Sequence, residues 1–144
     1  MSQFTSQTIF AEAANWNLWD ANVRVGPSGI HGQVALEAPA LLQEMDRHYI
    51  RTAVAAHATG VEYDADLGNK LLSQLQEPRL VPAWTALPNR DFIERLAALN
   101  PRAVRLSPST WNHNFPLTQW GAGELFEFLQ SNQVLTLVAR KNIE

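Results

Sequence analysis

The chain has 144 residues, 46% hydrophobic and 17% charged, enough to bury one sizeable core and to form one globular domain spanning 1–144. Its net charge of −3, with Lys and Arg scattered, leaves no basic footprint for nucleic acid, and the absence of cysteine excludes disulfides, zinc–thiolate sites and a thiol nucleophile. The opening MSQFTSQTIFAEAAN lacks a signal-peptide pattern and no apolar run approaches the roughly 20 residues that span a bilayer, so a cytoplasmic protein with no membrane partner is expected.

Residues 1–15 read as an N-terminal extension. WNLWDANVRV (16–25) then alternates towards its end, with Asp20, Asn22 and Arg24 on one side and Ala21, Val23 and Val25 on the other, and Gly-Pro-Ser-Gly stops it. Period two is the mark of a strand, because successive side chains point to opposite faces. EAPALLQEMDRH (37–48) sets Leu41, Leu42 and Met45 at helical spacing, with Pro39 in the first turn where a missing N–H costs little. IRTAVAAH (50–57) is a short apolar strand. After a loop, DADLGNKLLSQLQ forms a helix with Leu67, Leu71, Leu72 and Leu75 on one face. LVPAWTAL (80–87) is a third strand, with Pro82 placed near its start because proline lacks a ladder donor. Asn89 caps the next helix, whose stripe is Phe92, Ile93, Leu96 and Leu99, and Asn100-Pro101 ends it. AVRLSPS (103–109) is the fourth strand, GELFEFLQ a helix with Leu125, Phe128 and Leu129 on one face, and VLTLVA (134–139) the fifth strand.

Strands alternating with helices predict an α/β fold with a parallel sheet and right-handed crossovers. The strand starts lie about 29 residues apart, close to the ~31 per unit of an eightfold barrel of ~250 residues. Five units make only part of such a barrel, and by pattern alone an open doubly wound sheet fits as well.

In either architecture the functional end is the set of loops following the strands' C-termini. That rule selects Asn22, Arg24, His57, Trp84, Thr85, Arg105, Ser107 and Ser109, with His113 in the loop beyond. His57 is a candidate ligand or proton shuttle, although a strand-end histidine is more often a hydrogen-bonded edge residue, and His113 reads as a plain loop residue. Arg105, between Val104 and Leu106 on a covered strand, needs a carboxylate, a carbonyl or a ligand anion, because burying an unpartnered guanidinium is expensive. Structural pairing and ligand binding both meet that need. Glu62, Asp64 and Asp66 cluster before a helix and read as caps and dipole partners. The glycines of GPSGIHG have the wrong spacing for a dinucleotide fingerprint, and no G-x-S-x-G, P-loop or H-E-x-x-H occurs.

WDANVRVGPSG, HYIRTAVAAHATGVEYDADLGNKLLSQLQEPRLVPAWTALPN and PRAVRLSPSTWNHNFPLTQWGAGELFEFL together resemble the amidohydrolase-related proteins of the metal-dependent hydrolase superfamily, from about Trp16 to the C-terminus. The resemblance implies the N-terminal half of a (β/α)8 TIM barrel, hence a partial barrel of about five parallel strands with strands one and five at its edges. That family's first strand ends in Asp-x-His-x-His-x-Gly, whose histidines hold a divalent metal such as zinc. Here the stretch is Asp20-Ala21-Asn22-Val23-Arg24-Val25-Gly26 and neither histidine is present. The family also draws ligands from strands five, six and eight, and VLTLVARKNIE contains no histidine. No metal ligand carries over, no cofactor is expected in this chain, and catalytic residues stay unassigned.

Two functions follow. The resemblance implies a hydrolase acting on a small organic acid, amide or lactone, completed by a C-terminal half. The alternative is a non-catalytic truncated relative that binds a small-molecule anion through Asn22, Arg24 and Arg105, or that serves as an assembly subunit. The strand edges predict self-association or pairing with a complementing half; TIFAEAAN, through Ile9 and Phe10, is the one internal candidate for a cap, and it reaches only the strand-one side or the barrel floor.

Overall fold

The computed structural model describes residues 16–29, 36–108 and 113–139; the extension 1–15, with Ile9 and Phe10, and the candidate Ser109 lie outside the described residues. In chain order the elements are β1 (Leu18–Val25), α1 (Ala38–Arg47), β2 (Ile50–His57), α2 (Ala58–Glu62), α3 (Ala65–Gln74), β3 (Leu80–Thr85), α4 (Arg90–Ala98), β4 (Ala103–Leu106), α5 (Gln119–Ser131) and β5 (Leu135–Val138). Every strand pair is parallel and the sheet runs β1-β2-β3-β4-β5. The sheet curls into half a barrel with β1 and β5 at its edges, as expected for a partial barrel, and not into a doubly wound sheet, whose strand order departs from chain order.

Alternation along the strands separates two apolar layers. Val25, Ala53, Ala55, Leu80, Trp84, Val104 and Leu106 face the helices and pack with Leu41, Met45, Leu72, Phe92, Leu96, Leu125 and Leu129. Trp84 therefore belongs to the outer core and not to the mouth of the sheet. The opposite parity, Val54, Ala56, Ala83 and Ala103 with Val81 and Leu137, lines the inside of the curl together with Val61. Most of these are small, so strong curvature is sterically cheap. Fully burying each leucine of the outer layer contributes about 1.5–3 kcal/mol.

The helix boundaries follow local chemistry. Asp64 Oδ1 accepts the Leu67 N–H at 2.9 Å and caps α3, and Asn89 Oδ1 accepts the Phe92 N–H at 2.9 Å and caps α4. Beyond α4, Asn100 takes a left-handed φ of 48° ahead of Pro101, an arrangement that stops a helix. α3 buries Ala65, Gly68, Asn69 and Leu72, while Leu67 stays 46% exposed, so its inward face is rotated from the leucine stripe towards small residues. The helix α2, absent from the sequence reading, occupies part of the expected loop. α5 begins at Gln119, four residues before GELFEFLQ. β3 and β4 end sooner than expected, at Thr85 and Leu106. Pro82 is third in β3, in register with Ala55 of β2, and the β4 ladder begins one residue later at Ala83. Among the described residues no helix is long and apolar enough to cross a membrane.

Candidate functional site at the mouth of the half-barrel

The alternation of β1 is interrupted. Asp20 is in register with Ala53 but Val23 with Ala55, so three residues on β1 oppose two on β2, a bulge that re-aims Ala21 and Asn22. Asp20 thus keeps the register of the helix-facing Ala53, whereas Arg24 is in register with Ala56 of the inner layer. Asp20 does not share a face with Arg24 as strict alternation predicts. Its carboxylate instead accepts the Asn22 N–H at 3.0 Å and braces the bulge.

Across the curl, the Arg105 Nη1 donates to Asn22 Oδ1, linking β4 to β1. Arg105 is in register with Thr85 of β3 and Leu137 of β5. Its Nε–H is sealed from solvent and meets no acceptor among the described residues, and no carboxylate there pairs with it. Burial pushes the guanidinium below its ordinary value, and the charge of Arg24 adds to the effect. Arg105 is a half-buried cation whose one hydrogen bond among the described residues goes to a neutral amide.

Arg24 has a different fate. Its Nη1 lies 3.3 Å from Glu62 Oε1, and the Glu62 side chain is only 1% exposed. The same carboxylate accepts Ser28 Oγ–H at 2.6 Å and the Gly29 N–H at 2.9 Å, tying the Gly-Pro-Ser-Gly turn to the end of α2. Glu62 is therefore no helix cap. The cap reading holds for Asp64, and Asp66 pairs with Arg95 at 3.0 Å from the first turn of α3.

His57 is buried at the end of β2, where its Nδ1 accepts the Thr59 N–H at 3.2 Å and caps α2. Burial lowers its pKa, with Glu37 pulling weakly the other way. The imidazole lies against Gly26, whose φ of 91° suits glycine and where a Cβ would sit 2.5 Å from Nε2. His113 is not a plain loop residue: it is 4% exposed, and its Nε2–H donates to the Gly60 carbonyl at 2.8 Å. Ser107 is buried directly after β4. Thr85, also buried, exchanges two 2.9 Å hydrogen bonds with the Asn69 side chain, its N–H to Oδ1 and its C=O from Nδ2.

Asn22 and Arg105 thus meet directly, Arg24 lies within electrostatic reach of Arg105, and His57 and His113 serve the backbone around α2. Beside the first pair is a cleft of about 260 Å³, walled by Ala21 and Asn22, by Arg105 and by residues 136–139 along β5. Sequence reasoning read Glu62 as a cap or dipole partner and missed Asn69. Each is polar at a helical position that faces inward, a signal that emerges only once the helix is oriented.

Compared with family models, with curated proteins and with solved structures, the chain matches none. The divalent metal of the family that the sequence resembles does not fit these residues. Where two histidines would stand, Asn22 is bonded to a guanidinium and Arg24 is itself a cation paired with Glu62, and a positive charge there repels a divalent ion. Among the described residues no three His, Asp or Glu side chains gather to hold a metal.

Proposed function

We propose that the mouth of the half-barrel is a binding site for a small organic anion, with Arg105 as the charge that holds it and Asn22 as its companion donor. The observation that carries this reading is the state of Arg105, a half-buried guanidinium facing a cleft with an amide in place of a counter-ion among the described residues. A buried charge left without a partner is destabilising, and an arriving carboxylate relieves that cost through a charge-assisted hydrogen bond. The hydrolase reading rests on the sequence resemblance and on the half-barrel architecture alone, and fold by itself does not carry an activity. The cysteine-free composition supports a cytoplasmic setting.

A ligand that binds only the folded state raises its stability by mass action. At constant ionic strength, millimolar carboxylate should raise the melting temperature of the wild type and leave Arg105→Gln unmoved. Equal shifts in the two proteins would remove Arg105 from the site.

A second reading, assembly, is favoured by the sheet edges. Among the described residues β1 and β5 each have one strand neighbour, and Leu135 and Val138 stay 51% and 48% exposed. Unpaired N–H and C=O rows of this kind template strand pairing with a second copy or a complementing half.

A further inference from the structure

The charges and walls of the cleft carry the anion reading one step further. Arg24 and Arg105 contribute two positive charges at the mouth and Glu62 one negative, and the Glu62 carboxylate is held against Arg24 by the 3.3 Å contact. Asp20 is not among the residues that wall the cleft. Among the described residues one uncompensated cation remains, at Arg105, and it matches one negative charge. A phosphate dianion or a dicarboxylate would bring a second charge with no partner, at a desolvation cost.

The rest of the cleft is largely carbon. Ala21, Leu137, Val138 and Ala139 supply its walls, and the Thr136 hydroxyl, the polar group among them on β5, donates to the Val134 carbonyl at 3.2 Å. Because Asn22 Oδ1 accepts from Arg105, its Nδ2 faces away from that bond as a donor with no hydrogen-bond partner among the described residues. A planar carboxylate fits this pair, one oxygen on the guanidinium and the other on the amide. The volume, about 260 Å³, lies below the roughly 300–1,000 Å³ of pockets for drug-sized ligands.

Resting on the anion reading, we infer that the ligand is a small monocarboxylate whose head sits between Arg105 and Asn22 and whose short apolar tail lies along Leu137–Ala139. Neither a dianion nor a neutral chain of the same length satisfies both ends of the cleft.

Isothermal titration of the intact chain tests this with hexanoate, adipate, inorganic phosphate and hexan-1-ol at equal ionic strength. Hexanoate should bind at least tenfold tighter than the other three. From acetate to hexanoate, affinity should rise roughly threefold to fourfold per methylene as each enters the apolar channel. Asn22→Asp sets a carboxylate against Arg105 in the ligand's place. It should keep the fold, since it supplies the missing counter-ion, and lower hexanoate affinity at least tenfold. Arg105→Gln serves the same purpose by removing the cation. Adipate or phosphate binding as tightly as hexanoate, with both variants still disrupting it, would overturn the monocarboxylate inference and leave the anion site standing. Hexan-1-ol binding as tightly as hexanoate, or no anion binding at all, would overturn both.

Discussion

Arg105 shows why the same residue reads two ways. A guanidinium between Val104 and Leu106 demands a partner, which is legible from the sequence, but whether the partner is a side chain or a ligand depends on what β1 brings across the curl. It brings an amide. If the site exists for a ligand, the charge is a burden on the empty fold. Arg105→Met should then change the unfolding free energy by less than about 1 kcal/mol, or stabilise the chain, as replacing buried charges with apolar groups often does. A loss of roughly 3–5 kcal/mol in chemical denaturation, the size expected on breaking a buried ion pair, would mark Arg105 as structural. Glu62 was not legible because its neighbours Asp64 and Asp66 do what acids before a helix ordinarily do, while its own donors, Ser28, Gly29 and Arg24, come from over thirty residues away. His57 carries a pH signature. Its Nδ1 can accept the Thr59 N–H only while unprotonated, and burial holds its pKa below the ordinary value of about 6.5. As pH falls through about 6.5 the unfolded chain takes up a proton that the folded chain refuses, so stability drops until the folded value is reached, and above that window His57 contributes no slope. His57→Asn, which keeps a cap acceptor, should flatten stability as pH falls below about 6.5, and an unchanged slope in that variant would contradict the assignment.

At the scale of elements, hydrophobic period identified every strand and four of the five helices, because each has a face to bury and a cap or breaker to end it. The exception, α2, has five residues and starts on a histidine cap, which no list of common cap residues contains. α5 starts earlier than its apolar stripe because Gly121 and Gly123 dilute the first turns in sequence while fitting the helix in space. Close packing between α2 and α3 also escaped the pattern. A Cβ at Gly68 would lie 2.1 Å from Gly60 Cα and 2.2 Å from Gly60 N, so the two backbones touch and neither can yield. This contact places Asn69 against Thr85 and, through Gly60, the carbonyl that receives His113. Gly68→Ala should therefore cost at least the 1–3 kcal/mol of typical overpacking. A loss below about 0.5 kcal/mol in urea unfolding would show that the helices can separate without penalty.

For the molecule as a whole, the repeat of about 29 residues was readable and favours a barrel arc, but length and order alone left the doubly wound sheet open. Curvature decided it, and it is bound up with an inner layer of small side chains, Ala56, Ala83 and Ala103, whose side of the sheet no local window identifies. The two edges of that arc, each with one strand neighbour among the described residues, predict self-association at micromolar concentration by sedimentation; a well-behaved monomer with cooperative unfolding would show the edges already protected. Arg105 is proposed to hold a small anion at the mouth of the half-barrel. Nitrogen-15 NMR of the Arg105 guanidinium during a hexanoate titration at constant ionic strength measures this directly. Hexanoate should shift the Arg105 and Asn22 side-chain resonances saturably, and Asn22→Asp should abolish the shift. An Arg105 signal that stays still while hexanoate reaches tens of millimolar, roughly the weakest affinity worth calling a site, would contradict it.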